Sequence, residues 1–478
     1  MRDIVYLLNN VLLGYFLAIN SFYALLLLLS IPQLYCRYKQ SRKDDKQVLN
    51  PIDCPPVSII IPAYNEAANI IVSVQAVLNL SYPKFEVIVV NDGSADATLP
   101  YLVSTFQMVK IQLPEHNFKA TQPIKESYRS KIYPNLILID KQNGGKGDAL
   151  NVGISVAASR YFLAVDADTI IEKGALQPLV RAMLTEKDAA AICGTIRIAN
   201  GCNIEKGEIM RTRFPTDIFP AVQAIEYLRI FLFGKLGWNR FGGDLIISGA
   251  FGFFRKDQVV ACGGYEINTV GEDIELTVRM HRKLREKGRR CRVIFVSDPI
   301  AWTEAPPNIA SLVKQRERWH RGLIDTIQRH KIMFFNPRYK AVGLISFPFY
   351  AAGEMFAPIM ECAGVITMIT GLLIGVINYN FVMIFLFSTA GITMLLTVCA
   401  IIIEEVVFKT YRNKWVFLRM LVFSLLEYLG YRQIVIFSRI LAFFKKLQGV
   451  KSWGKVERLG FRPMIKPINT TPLLSFRR

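Results

Sequence analysis

Val57-Ser58-Ile59-Ile60-Ile61-Pro62, followed by Glu86-Val87-Ile88-Val89-Val90-Asn91-Asp92-Gly93-Ser94, decides the fold. Each is a short apolar run rich in β-branched residues. Such runs predict buried strands, and the helical spacing over Ala67–Leu80 between them predicts a crossover helix. Leu136–Ile139, Tyr161–Val165, Ala191–Ile198 and Arg292–Val296 have the same character. Strands alternating with helices imply an α/β domain on a mostly parallel sheet. Ligands of such sheets gather at the carboxyl ends of the strands. Asn65, Asp92 and Asp166 all fall there.

Composition shows that this domain is not the whole chain. Of 478 residues, 52% are hydrophobic and 20% charged, which is too apolar for a purely soluble protein. Val11–Tyr35 exceeds the roughly 20 residues needed to cross a bilayer. It is too long for the apolar core of a cleaved signal peptide. Arg37, Lys39, Arg42, Lys43 and Lys46 follow it, so its carboxyl side is expected in the cytoplasm. Apolar runs return at Ala341–Ile377, Phe381–Phe408 and Trp415–Phe444. The last carries Arg419, Glu427, Arg432 and Arg439 between basic flanks, and is expected to be interfacial or re-entrant, or a pair of short crossings. Glu354 and Glu361 lie in the first of these later runs, where buried acids face a protein interior or a wet path.

The expected organisation is an anchor over residues 1–36, a cytoplasmic α/β domain over 37–338, transmembrane or interfacial helices over 339–445 and a basic cytoplasmic tail over 446–478. Localisation follows as multi-pass in the plasma (inner) membrane. The net charge of +20 fits cytoplasmic Lys and Arg beside membrane helices better than nucleic-acid binding. The 8 cysteines are scattered with no C-x-x-C, as in reduced, cytosol-facing thiols.

The chemistry is carried by acids in a set order. Asp92 in Asn-Asp-Gly-Ser alone is a good turn residue. Asp166 and Asp168, one residue apart after a buried strand, can place oxygens on one divalent cation or cap the helix expected around Gly174–Thr185. Asn143-Gly144-Gly145-Lys146-Gly147-Asp148 is Gly-rich with one cation; it lacks Walker A spacing, yet lets Lys146 approach a phosphate. Asp273, in Gly271-Glu272-Asp273, is a general base or an N-cap. Gln315-Arg316-Glu317-Arg318-Trp319 puts Gln315 and Arg318 on one helix face, where Arg318 can chelate phosphate and Trp319 can stack on a sugar. An amphipathic helix on the membrane accounts for the same residues. His281, His320 and His330 lack zinc-like spacing and are expected to be surface or packing residues.

Taken together, IIPAYNE, NGGKGDALN, SGAFGFFRKD, GEDIELT and QRERW resemble the membrane-embedded family 2 glycosyltransferases over about Pro55–Trp319, together with Trp453-Gly454-Lys455-x-x-Arg458 in the tail. This group includes bacterial cellulose, hyaluronan, chitin and poly-N-acetylglucosamine synthases, and the poly-β-1,6-N-acetylglucosamine branch looks most similar. The resemblance implies a GT-A fold flanked by transmembrane helices, and inverting transfer from a UDP-sugar with Mg2+ or Mn2+. Tyr64, Glu66 and Asp92 would hold the uridine, Lys146 the diphosphate, and Asp166 and Asp168 the nucleotide and metal. Ser248 and Gly249 would border the acceptor, Asp273 would be the base, and Gln315, Arg318 and Trp319 would clamp diphosphate and acceptor.

Implied partners are a UDP-sugar, a polysaccharide or lipid acceptor, membrane lipids and small regulatory or export subunits, with no nucleic acid. A processive polysaccharide synthase coupled to export leads. A single-transfer lipid glycosyltransferase shares the motifs, and a non-catalytic binding protein is disfavoured because every acidic position is filled. Two departures stand out. Val103–Pro134 is long, polar and basic, as in an insertion over the nucleotide or a partner surface. After the membrane helices no second-messenger receptor domain is expected.

Overall fold

The computed structural model describes residues 2–43, 50–113, 121–375, 379–411, 413–449 and 460. Its centre is a ten-stranded mixed sheet in the order β3-β4-β5-β2-β1-β6-β11-β8-β12-β7. The strands are β1 (Val57–Ala63), β2 (Phe85–Asn91), β3 (Met108–Lys110), β4 (Ile124–Ser130), β5 (Leu136–Lys141), β6 (Tyr161–Val165), β7 (Thr169–Ile171), β8 (Ala189–Ile198), β11 (Phe251–Arg255) and β12 (Arg292–Thr303). A separate ribbon pairs β9 (Asn203–Glu205) with β10 (Glu208–Arg211). The block β5-β2-β1-β6 is parallel, as is β8-β12, and β11 runs antiparallel between them.

Every residue of β1 is buried, which explains its unbroken apolar run: a central parallel strand is covered on both faces. The helix Lys146–Val156 covers one of them. A Cβ at Gly153 would stand 2.3 Å from Ile60 Cγ2, so this helix seats against β1 only because residue 153 has no side chain.

Val103–Pro134 meets the Gly-rich loop at Gln122, whose N–H donates to Asp148 (3.2 Å). Its described part completes the sheet edge, β4 pairing β5 and β3 pairing β4. Residues 114–120 lie outside the described residues.

Among the described residues, three helices are long and apolar enough to cross a membrane: Val5–Lys39, Tyr379–Phe408 and Lys414–Leu447. A bent pair, Val342–Met355 and Ala357–Leu373, meets the test together with a 45° break. The expected anchor lies inside the helix Arg2–Lys43. Lys414–Leu447 is broken at Leu429 and Gly430, whose backbone is not helical. The four charges inside its apolar stretch are engaged. Arg419 donates to the Pro215 carbonyl (3.0 Å), Glu427 pairs with Arg229 (2.8 Å), Arg432 with Glu361 (2.9 Å) and Arg439 with Glu354 (3.1 Å). Partnered charges of this kind are tolerated among apolar helices. Arg197 of β8 reaches Glu404 in a buried bidentate pair (2.7 and 3.0 Å), which ties the sheet to the apolar helices. The tail motif Trp453–Arg458 lies outside the described residues.

Candidate active site

Strand register assembles the site. Ala63 of β1 pairs with Asn91 of β2, and Asn91 with Asp140 of β5, so the loops after these strands leave the sheet at one level. The first two are laced together. Asn65 has φ 56°, a left-handed conformation that asparagine tolerates. Its side-chain oxygen accepts from Ala95 N (2.8 Å), its own N–H donates to Ser94 Oγ (3.0 Å), and Glu66 N–H donates to Thr98 Oγ1 (2.8 Å). Tyr64 stands half exposed beside them.

Asp92 is buried and its carboxylate is fully employed. It accepts from Lys141 Nζ (2.6 Å), Asn143 Nδ2 (3.1 Å), Gly144 N (3.0 Å) and Gly145 N (2.8 Å). Lys141, completely buried, also pairs with Asp148 at 2.6 Å. Asp92 therefore shapes the Gly-rich loop. Gly145 has φ 89°, and a Cβ at Gly144 would meet Asp148 Oδ2 at 2.3 Å, so both glycines are dictated by the turn. The turn starts the helix Lys146–Val156, placing Lys146 at a helix N-terminus, a favourable position for an anion.

Lys146 Nζ lies 2.6 Å from Asp166 Oδ1 and 3.3 Å from Glu272 Oε1. Burial disfavours its charge, and Asp166, Glu272 and Asp273 outweigh burial and raise its pKa. Asp166 and Asp168 do not cap the following helix. That helix begins at Leu176 without a side-chain cap, and β7 intervenes. Asp166 remains partly exposed while Asp168 is buried. Among the described residues no three His, Cys, Asp or Glu side chains cluster as a metal cage.

The β6–β11 pairing sets Val165 against Phe251, which brings Ser248 and Gly249, just ahead of β11, alongside Asp166. Gly249 N–H donates to Asp273 Oδ2 (3.0 Å), and Ile274 N–H to Oδ1 (2.8 Å). Asp273 sits inside the first turn of the helix Glu272–Glu286, whose N-cap is Gly271. A Cβ at Gly249 would stand 2.7 Å from Lys146 Nζ and 3.1 Å from Asp273 Oδ2.

The Gln-x-x-Arg-Trp run lies on the helix Ile309–Arg329, capped by Asn308, which accepts from Ser311 N (2.9 Å). Its two faces differ. Arg316 is buried against Glu226 (2.6 Å) and Tyr431, and Glu317 pairs with Arg321 (2.8 Å) and Lys445 (3.1 Å). Burial, the largest influence, and Asp273 push the Glu272 carboxyl upward, while Lys146 and, more weakly, Arg318 favour its ionised form. Gln315 Oε1 is buried without a hydrogen-bond partner among the described residues. Trp319 is 40% exposed, with the Arg316 guanidinium 4.6 Å from its ring centre. The helices meet at bare backbone. A Cβ on Gly271 would come 2.8 Å from Gly322 Cα, so two glycines let the acidic turn approach the Gln-x-x-Arg-Trp helix.

The chain matches Glycosyl transferase family 2 over residues 58–258 and Glycosyl transferase family group 2 over residues 161–403, half the chain. The chain belongs to glycosyl transferase family group 2. The poly-beta-1,6-N-acetyl-D-glucosamine synthase of Staphylococcus aureus (strain COL) is 27% identical over 61% of this chain and 60% of its own. The enzyme of the same name from Staphylococcus epidermidis is 27% identical over 57% and 56%. The chain thus matches about three fifths of the length of these relatives. A solved mannosyltransferase from Pyrobaculum calidifontis, in complex with GDP-Man and Mn2+, is 18% identical, covers 88% of this chain and 99% of its own, and aligns with a TM-score of 0.48.

In this family member, then, the structure brings together Lys146, Asp166, Gly249 and Asp273, with Arg318 close by. Asp92 acts one loop away. The three histidines are packing residues, all buried. Sequence reading missed two members. Glu272 was overshadowed by its neighbour Asp273, and Lys141 was hidden at the end of an apolar strand, where a lone buried cation is itself a signal.

Proposed function

We propose that this protein transfers a sugar from a UDP-sugar to a growing polysaccharide, with inversion, processively and coupled to export. The observation that carries the reading is the group Lys146, Asp166, Glu272 and Asp273, gathered at strand ends beside the Gln-x-x-Arg-Trp helix. Asp273 takes the proton of the attacking hydroxyl, its two oxygens aimed by Gly249 N–H and Ile274 N–H. Lys146 meets the diphosphate at the helix N-terminus. Arg318 and Gln315 hold its far side, Trp319 stacks on the acceptor end, and Ser248 and Gly249 border it. Tyr64 and Glu66 flank the base, and Asp92 acts by shaping the loop that carries Lys146.

Asp166 and Asp168 fit a divalent ion that arrives with its donor. Mg2+ and Mn2+ take one or two protein carboxylates and complete their shell with phosphates and water, so a set of two acids suffices. Such an ion would offset charge on the departing diphosphate. The apolar helices support a location in the plasma membrane, and the basic residues after the first of them support a cytoplasmic side for this domain. Polar pairs between those helices, Tyr23 with Glu354 (2.7 Å) and Arg432 with Glu361, support an export path.

A lipid acceptor is the second reading, favoured by the contact of the Gln-x-x-Arg-Trp helix with the last apolar helix through Glu317 and Lys445 (3.1 Å). Membranes carrying the protein would be incubated with labelled UDP-sugars and GDP-mannose, with and without EDTA. A large, water-soluble product from a UDP-sugar is expected, and a product of one sugar on lipid would select the second reading. Full turnover in EDTA would remove the metal.

A further inference from the structure

Lys146 has one outer and one inner anchor. Asp166, at 2.6 Å, is 28% exposed, whereas Glu272, at 3.3 Å, is 7% exposed. An ammonium seated on Asp166 occupies the carboxylate that a divalent ion would need, and two cations cannot share it cheaply. Something must hold Lys146 when it lets go. Asp273 is a poor substitute, because each of its oxygens already accepts a backbone N–H. Glu272 is built for the task. It begins the helix Glu272–Glu286 within reach of Lys146, and the contact of Gly271 with Gly322 fixes the turn.

We infer that Glu272 is a positioning residue: it is the second anchor of Lys146, and lets the ammonium leave Asp166 for an incoming divalent cation and diphosphate. This rests on the reading above, in which the cluster receives a nucleoside diphosphate with its metal. Glu272 touches neither in this account. It acts through Lys146.

The test uses the full chain, purified in detergent, with Mn2+ binding followed by electron paramagnetic resonance at saturating UDP. Glu272→Gln should raise the half-saturating Mn2+ concentration roughly 10–100-fold, the usual cost of removing a group that orients a ligand. Glu272→Asp keeps the charge but draws the carboxylate back by one methylene, so it should behave like Glu272→Gln. Lys146→Met removes the competing ammonium and, measured without nucleotide so that its contact with the diphosphate plays no part, should lower the half-saturating concentration below wild type. Wild-type behaviour of Glu272→Gln overturns the inference. Normal binding in Glu272→Asp does so too, by leaving only general charge. So does an unchanged or raised value in Lys146→Met, which needs no folded Glu272 variant. If the wild type binds no Mn2+ with either UDP or GDP, the reading of the site itself falls.

Discussion

Two charged clusters lie one loop apart in this molecule, and they are built in opposite ways. In the first, Lys141 is buried between Asp92 and Asp148, and the remaining oxygens of Asp92 take Asn143 and two backbone N–H groups. Each of these groups is answered by another within the fold. In the second, Lys146 faces Asp166, Glu272 and Asp273, with Arg318 in reach. That cluster is partly open, with Asp166 28% exposed, which suits a divalent cation and a phosphate chain on the proposed reading. Closure distinguishes the first cluster and openness the second. Asp92, which the family resemblance assigns to the nucleotide, is here engaged with Lys141 and the Gly-rich loop.

The largest test of the contrast is Asp273→Asn. It preserves shape and one of the two bonds from Gly249 and Ile274, but loses basicity. Transfer should fall roughly 10²–10⁴-fold, with UDP affinity and thermal stability near wild type. Turnover within threefold of wild type would take Asp273 out of the mechanism.

Lys141→Met tests the other cluster. It strands two buried carboxylates, and breaking a buried pair costs about 3–5 kcal/mol. The thermal midpoint in detergent should drop sharply, with activity lost only as the protein unfolds. A normal midpoint with lost UDP binding would reverse the assignment and make the Asp92 cluster a site.

Gly249→Ala probes the space between Lys146 and Asp273. A methyl there meets the mobile ends of two side chains, at 2.7 and 3.1 Å, so the fold can yield while the site is displaced. Misplacement by about 1 Å costs up to 10²-fold in rate. Turnover should fall by roughly 10–100-fold with little change in midpoint; a lost midpoint with normal specific activity would make Gly249 a packing residue.

The parts of the fold that sequence revealed are those where one local cause dominates. β1, β5, β6 and β8 are buried along their whole length, as is β2 from Val87 on, so their apolar runs stand out. β4 was missed because Ile124–Ser130 is a polar strand near the sheet edge, and β11 because Gly252 interrupts Phe251–Arg255. The acids of the site were legible as residues at strand ends. Their division of labour was not, since Asp92 meets partners 49 to 53 positions away. The charges of Lys414–Leu447 argued against a long apolar helix until Arg229, Glu361 and Glu354 supplied their partners.

The smallest effect concerns the support beneath the Ser248–Gly249 loop. Asp244 holds that loop: Lys235 pairs with its carboxylate (2.7 Å) and donates to the Ile246 carbonyl (2.6 Å), and Ile246 N–H donates to Asp244 (3.1 Å). His281 braces Asp244 from behind. Its Nδ1 faces Arg285 at 2.7 Å, and a guanidinium only donates, so Nδ1 must accept. Nε2 then carries the proton and donates to the Asp244 carbonyl (3.3 Å). A second ring proton would point at Arg285. Burial, aided by Arg285, accordingly holds the His281 pKa down at about 3. A base with a depressed folded pKa gives stability that is complete above its unfolded value, about 6.5, and is lost as pH falls from there towards 3. His281→Gln can keep both bonds and cannot titrate. Between pH 7.5 and 5.5 the wild type should therefore lose about 1 kcal/mol more stability than His281→Gln. Equal losses in paired thermal melts would mean that His281 takes up its proton without disturbing Asp244, and the brace would have to be assigned to Lys235 and the Tyr350 hydroxyl, which also donates to the Asp244 carboxylate.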